Sequence, residues 1–140
     1  MSLRDALATA TLVVTDLKRA REFYGETLGF EELGQLADEE PGMAYKCGHS
    51  TYLYVYERPT PAGSTGTVCA FGVEDVEGTV KQLRRKGVKF EEYDIPEIGL
   101  KTVNGVATQG QVKTAWFIDP FGNILAIDNS AELLTNLAAG

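Results

Sequence analysis

The chain states nearly the same pattern twice. Residues 9–16 read Thr-Ala-Thr-Leu-Val-Val-Thr-Asp, and residues 68–75 read Val-Cys-Ala-Phe-Gly-Val-Glu-Asp. Each run ends in an Asp suited to cap a helix. Each helix-like stretch then stops at a Gly followed by an apolar residue, Gly29-Phe30 and Gly87-Val88. The two Asp residues, Asp16 and Asp75, stand 59 apart in a chain of 140, so the copies divide it almost in half. A unit that small does not close its own core. Two copies must pack together, and a cleft lined by equivalent strands of each is the expected place for a ligand.

The first helix is predicted over 17–28, with Leu17, Ala20, Tyr24 and Leu28 at helical spacing behind Asp16. In the second copy Val76, Val80 and Leu83 form the stripe behind Asp75, and Gly87 ends it. Strand-like runs follow at 30–36, 43–47 and 51–56, then at 88–93, 112–119 and 124–128. The pattern is β-α-β-β-β, twice: an α+β fold of two tandem modules, about 7–56 and 67–128. The linker 57–66 is marked by two Pro, two Gly and a Ser, and a tail at 129–140 ends in a short, frayed helix. Residues 94–111 break the symmetry. They are too Gly-rich for a helix and too irregular for a strand, and are expected to form a flap over the cleft or else a purely structural excursion.

Side-chain alternation assigns the strand faces. In the first strand Ala8, Ala10, Leu12 and Val14 share one face, and Thr9, Thr11 and Val13 the other. In the repeat Cys69, Phe71 and Val73 are the bulky set, opposed by Val68, Ala70 and Gly72. An odd offset maps odd positions onto even ones, so both copies turn bulky side chains toward the helix and small ones toward the cleft. In 51–56, Leu53 and Val55 belong under the helix, while Tyr52, Tyr54 and Tyr56 face the cleft. The last strand places Leu125 and Ile127 inward, and Ile124, Ala126 and Asp128 toward the cleft, where Trp116 and Ile118 join them. Such a surface suits a flat or apolar ligand with a few hydrogen-bonding groups.

Bulk properties exclude other classes. Thirteen Lys and Arg against twenty Asp and Glu leave a net charge of −7, which would repel a phosphate backbone and argues against a nucleic-acid partner. No apolar run approaches membrane length, and the N-terminus does not read as a signal peptide. Cys47 and Cys69 have no metal-like spacing and are expected as buried, reduced thiols of a cytoplasmic protein. His49, the sole histidine, falls in a Gly-His-Ser turn and has no partners with which to build a metal site.

Two motifs carry a resemblance. Val14-Thr15-Asp16 leads through Phe23-Tyr24 to Leu28-Gly29-Phe30, and Asp119-Pro120-Phe121-Gly122-Asn123-Ile124-Leu125 stands near the end. Over residues 7–128 the chain closely resembles the vicinal oxygen chelate superfamily, which includes glyoxalase I, bleomycin resistance proteins and extradiol dioxygenases. That fold hosts several chemistries, so the resemblance is more specific for fold than for function. In metal-using relatives a His, sometimes Gln or Glu, lies seven residues before each helix-opening Asp. A Glu lies seven after the Asp of Asp-Pro-x-Gly, and glyoxalases add a carboxylate from the strand matching 51–56. Carried over, these positions are Thr9, Val68, Ala126 and approximately Tyr54, none of them a plausible ligand for a divalent metal.

The expected function is therefore metal-independent, cofactor-free binding of a small organic molecule, similar to the bleomycin-resistance branch. Tyr52, Tyr54, Tyr56 and Trp116 would pack on the ligand, beside Val68, Ala70 and Ala126, with Thr9, Thr11 and Asp128 available for hydrogen bonds. Asp128 favours a neutral or cationic ligand. The resemblance also implies a homodimer. Two alternatives stand: an enzyme of the superfamily, using a displaced metal or Tyr54 and Asp128 as acid and base, and a catalytically silent dimerisation module.

Overall fold

The computed structural model describes residues 2–140. The chain forms two compact units, one ending at Ala62 and the other beginning at Gly63.

The first unit runs β1 (Ala10–Val14), α1 (Leu17–Arg21), β2 (Glu31–Gly34), β3 (Gly42–Cys47) and β4 (Thr51–Glu57). Its sheet has the order β1-β4-β3-β2, with β1 and β4 parallel and the other pairs antiparallel. Asp16 caps α1 as expected, its carboxylate accepting the Arg19 N–H at 3.2 Å. Leu12, Val14, Leu53 and Val55 are buried, together with Ala20 and Tyr24 from the helical stretch and Met43 and Tyr45 from β3. Period-two alternation thus sets the inward face of this sheet. The helix departs from expectation in its last turns. Glu22–Thr27 widens into a π-helical turn, in which the Leu28 N–H reaches back five residues to the Phe23 carbonyl at 2.8 Å. Gly29, with φ of 82°, takes the left-handed position that ends it.

The second unit runs β5 (Thr67–Gly72), α2 (Val76–Arg85), β6 (Asp94–Ile95), β7 (Leu100–Val103), β8 (Val106–Gln109), β9 (Val112–Ile118), β10 (Ile124–Asp128) and α3 (Ala131–Ala139). Its sheet is longer, in the order β5-β10-β9-β8-β7-β6. Asp75 caps α2 through the Gly78 N–H at 2.9 Å, and Val76 and Val80 are buried beneath it.

Two expectations fail in this unit, for a common reason. The run 88–93 is not a strand: only Phe90 forms a bridge, to Phe117. The segment 94–111 is not irregular: it supplies β6, β7 and β8, and β8 pairs with β9 where β2 pairs with β3 in the first unit. What builds these strands is the Asn104-Gly105 turn. Both residues are left-handed, φ 53° and 84°, between the paired residues Val103 and Val106. That is the two-residue hairpin geometry whose twist matches the flanking strands. The Gly105 N–H is also held by the Glu92 carboxylate. The glycines that argued against a strand are here the turns between strands.

The Asp-Pro-Phe-Gly-Asn motif is a structural knot. Asp119 is buried, and one carboxylate oxygen accepts the N–H groups of Phe121 and Asn123, each at 2.8 Å. Its other oxygen takes the Asn123 amide at 2.8 Å. Gly122, with φ of 86°, completes the reversal into β10. Ser64 bridges this turn, donating to the Gly122 carbonyl and accepting from the Ile124 N–H. The tail forms α3, which buries no residue of its own and leaves Leu137 76% exposed.

Candidate functional site

The face of the first sheet turned away from α1 carries the tyrosine stripe. β4 presents Tyr52, Tyr54 and Tyr56 there, because Leu53 and Val55 between them are sealed in the core. Their cross-strand neighbours on β3 are Lys46, Ala44 and Gly42. On β1, Tyr54 and Tyr56 face Thr11 and Val13. The neighbours of Tyr54 and Tyr56 are small, so these rings lie over the sheet rather than against bulk. Tyr54 and Tyr56 stack with planes 12° apart and centroids 6.1 Å apart. Tyr52 remains 44% exposed.

Gly42 makes this arrangement possible. A Cβ there would overlap the Tyr54 hydroxyl and stand 2.9 Å from the Val55 carbonyl, so only glycine lets the phenol lie down across β3. The Tyr54 hydroxyl is itself buried and has no hydrogen-bond partner among the described residues. An orphaned hydroxyl of this kind costs about 1–3 kcal/mol, which a ligand acceptor would relieve. Burial, and then the Glu40 carboxylate, push the phenol above its usual value of 10, against a smaller pull from Arg58. Tyr54 is therefore a hydrogen-bond donor near neutral pH and a poor candidate for a base.

The stripe continues one step further than the sequence reading took it. Arg58 follows 52, 54 and 56 in the same alternation, and its guanidinium lies 4.5 Å from the Tyr56 ring centroid. It pairs with Glu40 at 2.9 Å. Assigning residue 57 onward to a linker hid Arg58, and Glu40 lay in a loop with no pattern to select it. Thr9 and Thr11 are exposed at the β1 edge of this sheet.

The corresponding face of the second sheet is built differently. Trp116 pairs with Ala126, and Ala126 with Ala70. From β9 the indole N–H reaches Thr67 on β5, donating to its hydroxyl at 3.0 Å, with β10 between them. That span of two strand spacings, each about 4.8 Å, lays the ring across the alanine row. Tyr93 packs edge-on against it at 5.4 Å. Ala126 is consequently buried, while Val68 and Ala70 on the edge strand stay exposed. Asp128 is committed locally: one carboxylate oxygen accepts both the N–H and the O–H of Ser130, at 3.1 and 2.8 Å, where the chain turns into α3.

A third feature lies on the helix side of the first sheet. An open depression of about 600 Å³ runs beside α1, lined by residues that include Leu17, Arg21, Gly25, Phe30 and Glu32. Arg21 closes its rim in a two-pronged pair with Glu32 at 2.9 Å, and Glu32 also accepts the Tyr45 hydroxyl at 3.1 Å. The hydrogen bond from Arg21 holds the Glu32 carboxyl below its usual range, and burial holds the Tyr45 phenol well above its own. This cluster ties β2 to α1 and β3. Its polar groups are mutually satisfied and ask for no ligand.

Metal donors are missing from the positions that the resemblance marks. Thr9, Val68, Ala126 and Tyr54 offer two neutral hydroxyls and two aliphatic side chains. Among the described residues no three His, Cys, Asp or Glu are grouped to hold a metal ion. The residues present do not fit a divalent cation. No helix among the described residues is long and apolar enough to cross a membrane.

Residues 6–127 match the family model described as the Glyoxalase/Bleomycin resistance protein/Dioxygenase superfamily. No curated protein matches the chain by sequence. Solved structures share its fold. A glyoxalase family protein from Bacillus anthracis is 20% identical with a TM-score of 0.66, the match covering 88% of this chain and 94% of that one. A glyoxalase/bleomycin resistance protein from Streptomyces sp. CB03234 is 25% identical with a TM-score of 0.60, over 86% and 98%. A lactoylglutathione lyase from Agrobacterium tumefaciens is 18% identical with a TM-score of 0.63, over 89% and 92%.

Proposed function

Because the chain belongs to the Glyoxalase/Bleomycin resistance protein/Dioxygenase superfamily, we propose that it keeps the family's scaffold and binds a small organic molecule without a metal. The observation that carries this reading is the exchange of residue types on β4. Where glyoxalases contribute a carboxylate, this strand carries Tyr54, flanked by Tyr52 and Tyr56. A row of three aromatic rings with one unpartnered hydroxyl is a surface for packing and hydrogen bonding.

Tyr56 and Tyr54 form the floor, and Tyr52 supplies the exposed end. Thr11, beside Tyr54 on β1, offers a further hydroxyl at the floor's margin. Trp116 has its N–H engaged by Thr67 and acts as a cover for its own sheet. The acid–base alternative loses support at its base, because the Asp128 carboxylate is engaged by Ser130, while the protonated Tyr54 keeps only the acid's role.

Elemental analysis of protein purified without chelator, joined to a ligand-observed NMR screen of small aromatic compounds, tests the reading. The expected result is no stoichiometric transition metal, with hits that survive EDTA and are lost in Tyr56→Ala. One equivalent of bound Zn, Ni, Mn or Fe, or hits abolished by chelation, would overturn it.

A further inference from the structure

The end of the tyrosine stripe has a built-in anion. Arg58 is fixed at its base: its N–H donates to the Val14 carbonyl at 2.9 Å, and the Glu57 N–H donates to the Pro41 carbonyl at 2.8 Å. These two bonds pin the start of the 58-side chain and the end of the loop before β3 to the same corner of the sheet. From that loop Glu40 sends one carboxylate oxygen to Arg58 Nη1 at 2.9 Å. The same Nη1 also donates to the Glu57 carbonyl at 2.8 Å. Beneath the guanidinium lies the Tyr56 ring, and beside Tyr56 lies Tyr54 with its unpartnered hydroxyl.

The corner therefore combines a flat aromatic floor, a guanidinium and an O–H donor. The geometry points to a planar aromatic acid as the ligand of this face, its anionic oxygens replacing the Glu40 carboxylate on Arg58 and accepting the Tyr54 hydroxyl. The assignment rests on the reading that the tyrosine face binds a small organic molecule, and adds the class of that molecule. Glu40 is a suitable stand-in because its contact is slight. Both side chains of the pair are partly exposed, 47% for Arg58 and 35% for Glu40, and only one carboxylate oxygen is engaged. Exposed pairs of this kind add little net stability, so exchange for a ligand carboxylate is nearly neutral in Coulomb energy. The gain comes from the Tyr54 bond, a two-pronged grip by the guanidinium, and ring stacking. A cationic ring would be repelled by Arg58. A neutral ring would leave the Arg58–Glu40 pair in place and gain the stacking alone. Lys46, across from Tyr52, lies at the other end of the stripe, about 20 Å along the strand from Arg58, and leaves Arg58 as the cation of this corner. The earlier preference for a neutral or cationic ligand rested on Asp128, which lies on the other sheet.

Isothermal titration calorimetry on the whole chain decides the matter, with 1-naphthoate, 1-naphthamide and 1-naphthylmethylammonium as probes. Naphthoate is expected to bind at least about tenfold more tightly than either analogue, the size of one charge-assisted hydrogen bond. Arg58→Gln should erase that preference and Tyr54→Phe should reduce it. Glu40→Gln should strengthen naphthoate binding, since it removes the competing carboxylate. If the amide or the ammonium binds as well as the acid, and Arg58→Gln changes nothing, the acid assignment is overturned while ligand binding by the face stands. Weaker naphthoate binding in Glu40→Gln would overturn the replacement of Glu40. Absence of binding by all three probes would overturn both readings.

Discussion

The two sheets carry the same repeated pattern and present their outward faces in opposite ways. In the second unit Trp116 lies over Ala126, and its N–H is satisfied by Thr67 two strands away. The ring has become part of that unit's own covering. In the first unit the rings of Tyr54 and Tyr56 lie over Gly42, Ala44 and Val13, and one hydroxyl has no partner. On one face the ring's polar atom is matched within its own sheet; on the other a phenol hydroxyl has no partner among the described residues. The lesson is that aromatic residues on corresponding faces of the two sheets, here from the non-equivalent strands β4 and β9, are not matched alike. What separates them is whether the polar atom of the ring is already matched.

Substitutions can break this contrast at different depths. The largest effect is expected at the turn that holds the second sheet in register. Asp119→Ala leaves the buried N–H groups of Phe121 and Asn123 without an acceptor, and should cost about 3 kcal/mol in urea denaturation. A cost below about 1 kcal/mol would mean that the turn is held elsewhere. Next comes Gly42→Ala, which forces the Tyr54 phenol off the first sheet. It should destabilise by about 2 kcal/mol, as overpacked sites do, and weaken whatever ligand the tyrosine face takes. Trp116→Phe keeps a ring over the second sheet and removes only the bond to Thr67. A loss of about 1 kcal/mol is expected. If the loss is nil, the Thr67 bond does not hold the Trp116 ring, and the contrast between the two faces fails.

The smallest effect concerns the cluster on the helix side. Glu32 has its carboxyl lowered from a usual 4.5, chiefly by the Arg21 hydrogen bond. A lowered group binds protons more weakly when folded than when unfolded. Its stabilisation is therefore present above the unfolded value and lost as pH falls through the folded one. Glu32→Gln should flatten the decline in stability below pH 4.5 and leave the slope above it unchanged. An unaltered acid limb would contradict the role given to the Arg21–Glu32 pair.

Much of the fold was legible because alternation and capping are local. Leu53 and Val55 could be placed inward from period two alone, and Asp16 and Asp75 could be read as caps from their position before apolar stripes. The Asn104-Gly105 hairpin was also written in the sequence, as the strongest short hairpin signal there is. The abundance of glycine around it suggested irregularity instead. The π-helical turn at Glu22–Thr27 left no comparable mark, because Phe23 and Tyr24 suit an ordinary helix equally well.

The site was legible only as a face. The parity that put Tyr52, Tyr54 and Tyr56 together also reached Arg58, and was stopped two residues early by the prolines at 59 and 61. Glu40 could not be found by any period, since its contact with Arg58 spans eighteen residues of chain. Nor could the Trp116–Thr67 bond, which depends on β5 and β9 flanking β10. Such contacts are products of strand order, which residue spacing does not contain.

The most direct measurement is amide and tyrosine-ring chemical-shift mapping with 1-naphthoate in chelator-treated buffer. The expected result is saturable binding with perturbations centred on Tyr54, Tyr56 and Arg58. Perturbations centred on Arg21 and Phe30 beside α1, or binding that appears only after a divalent metal is added, would contradict a metal-free tyrosine face as the site.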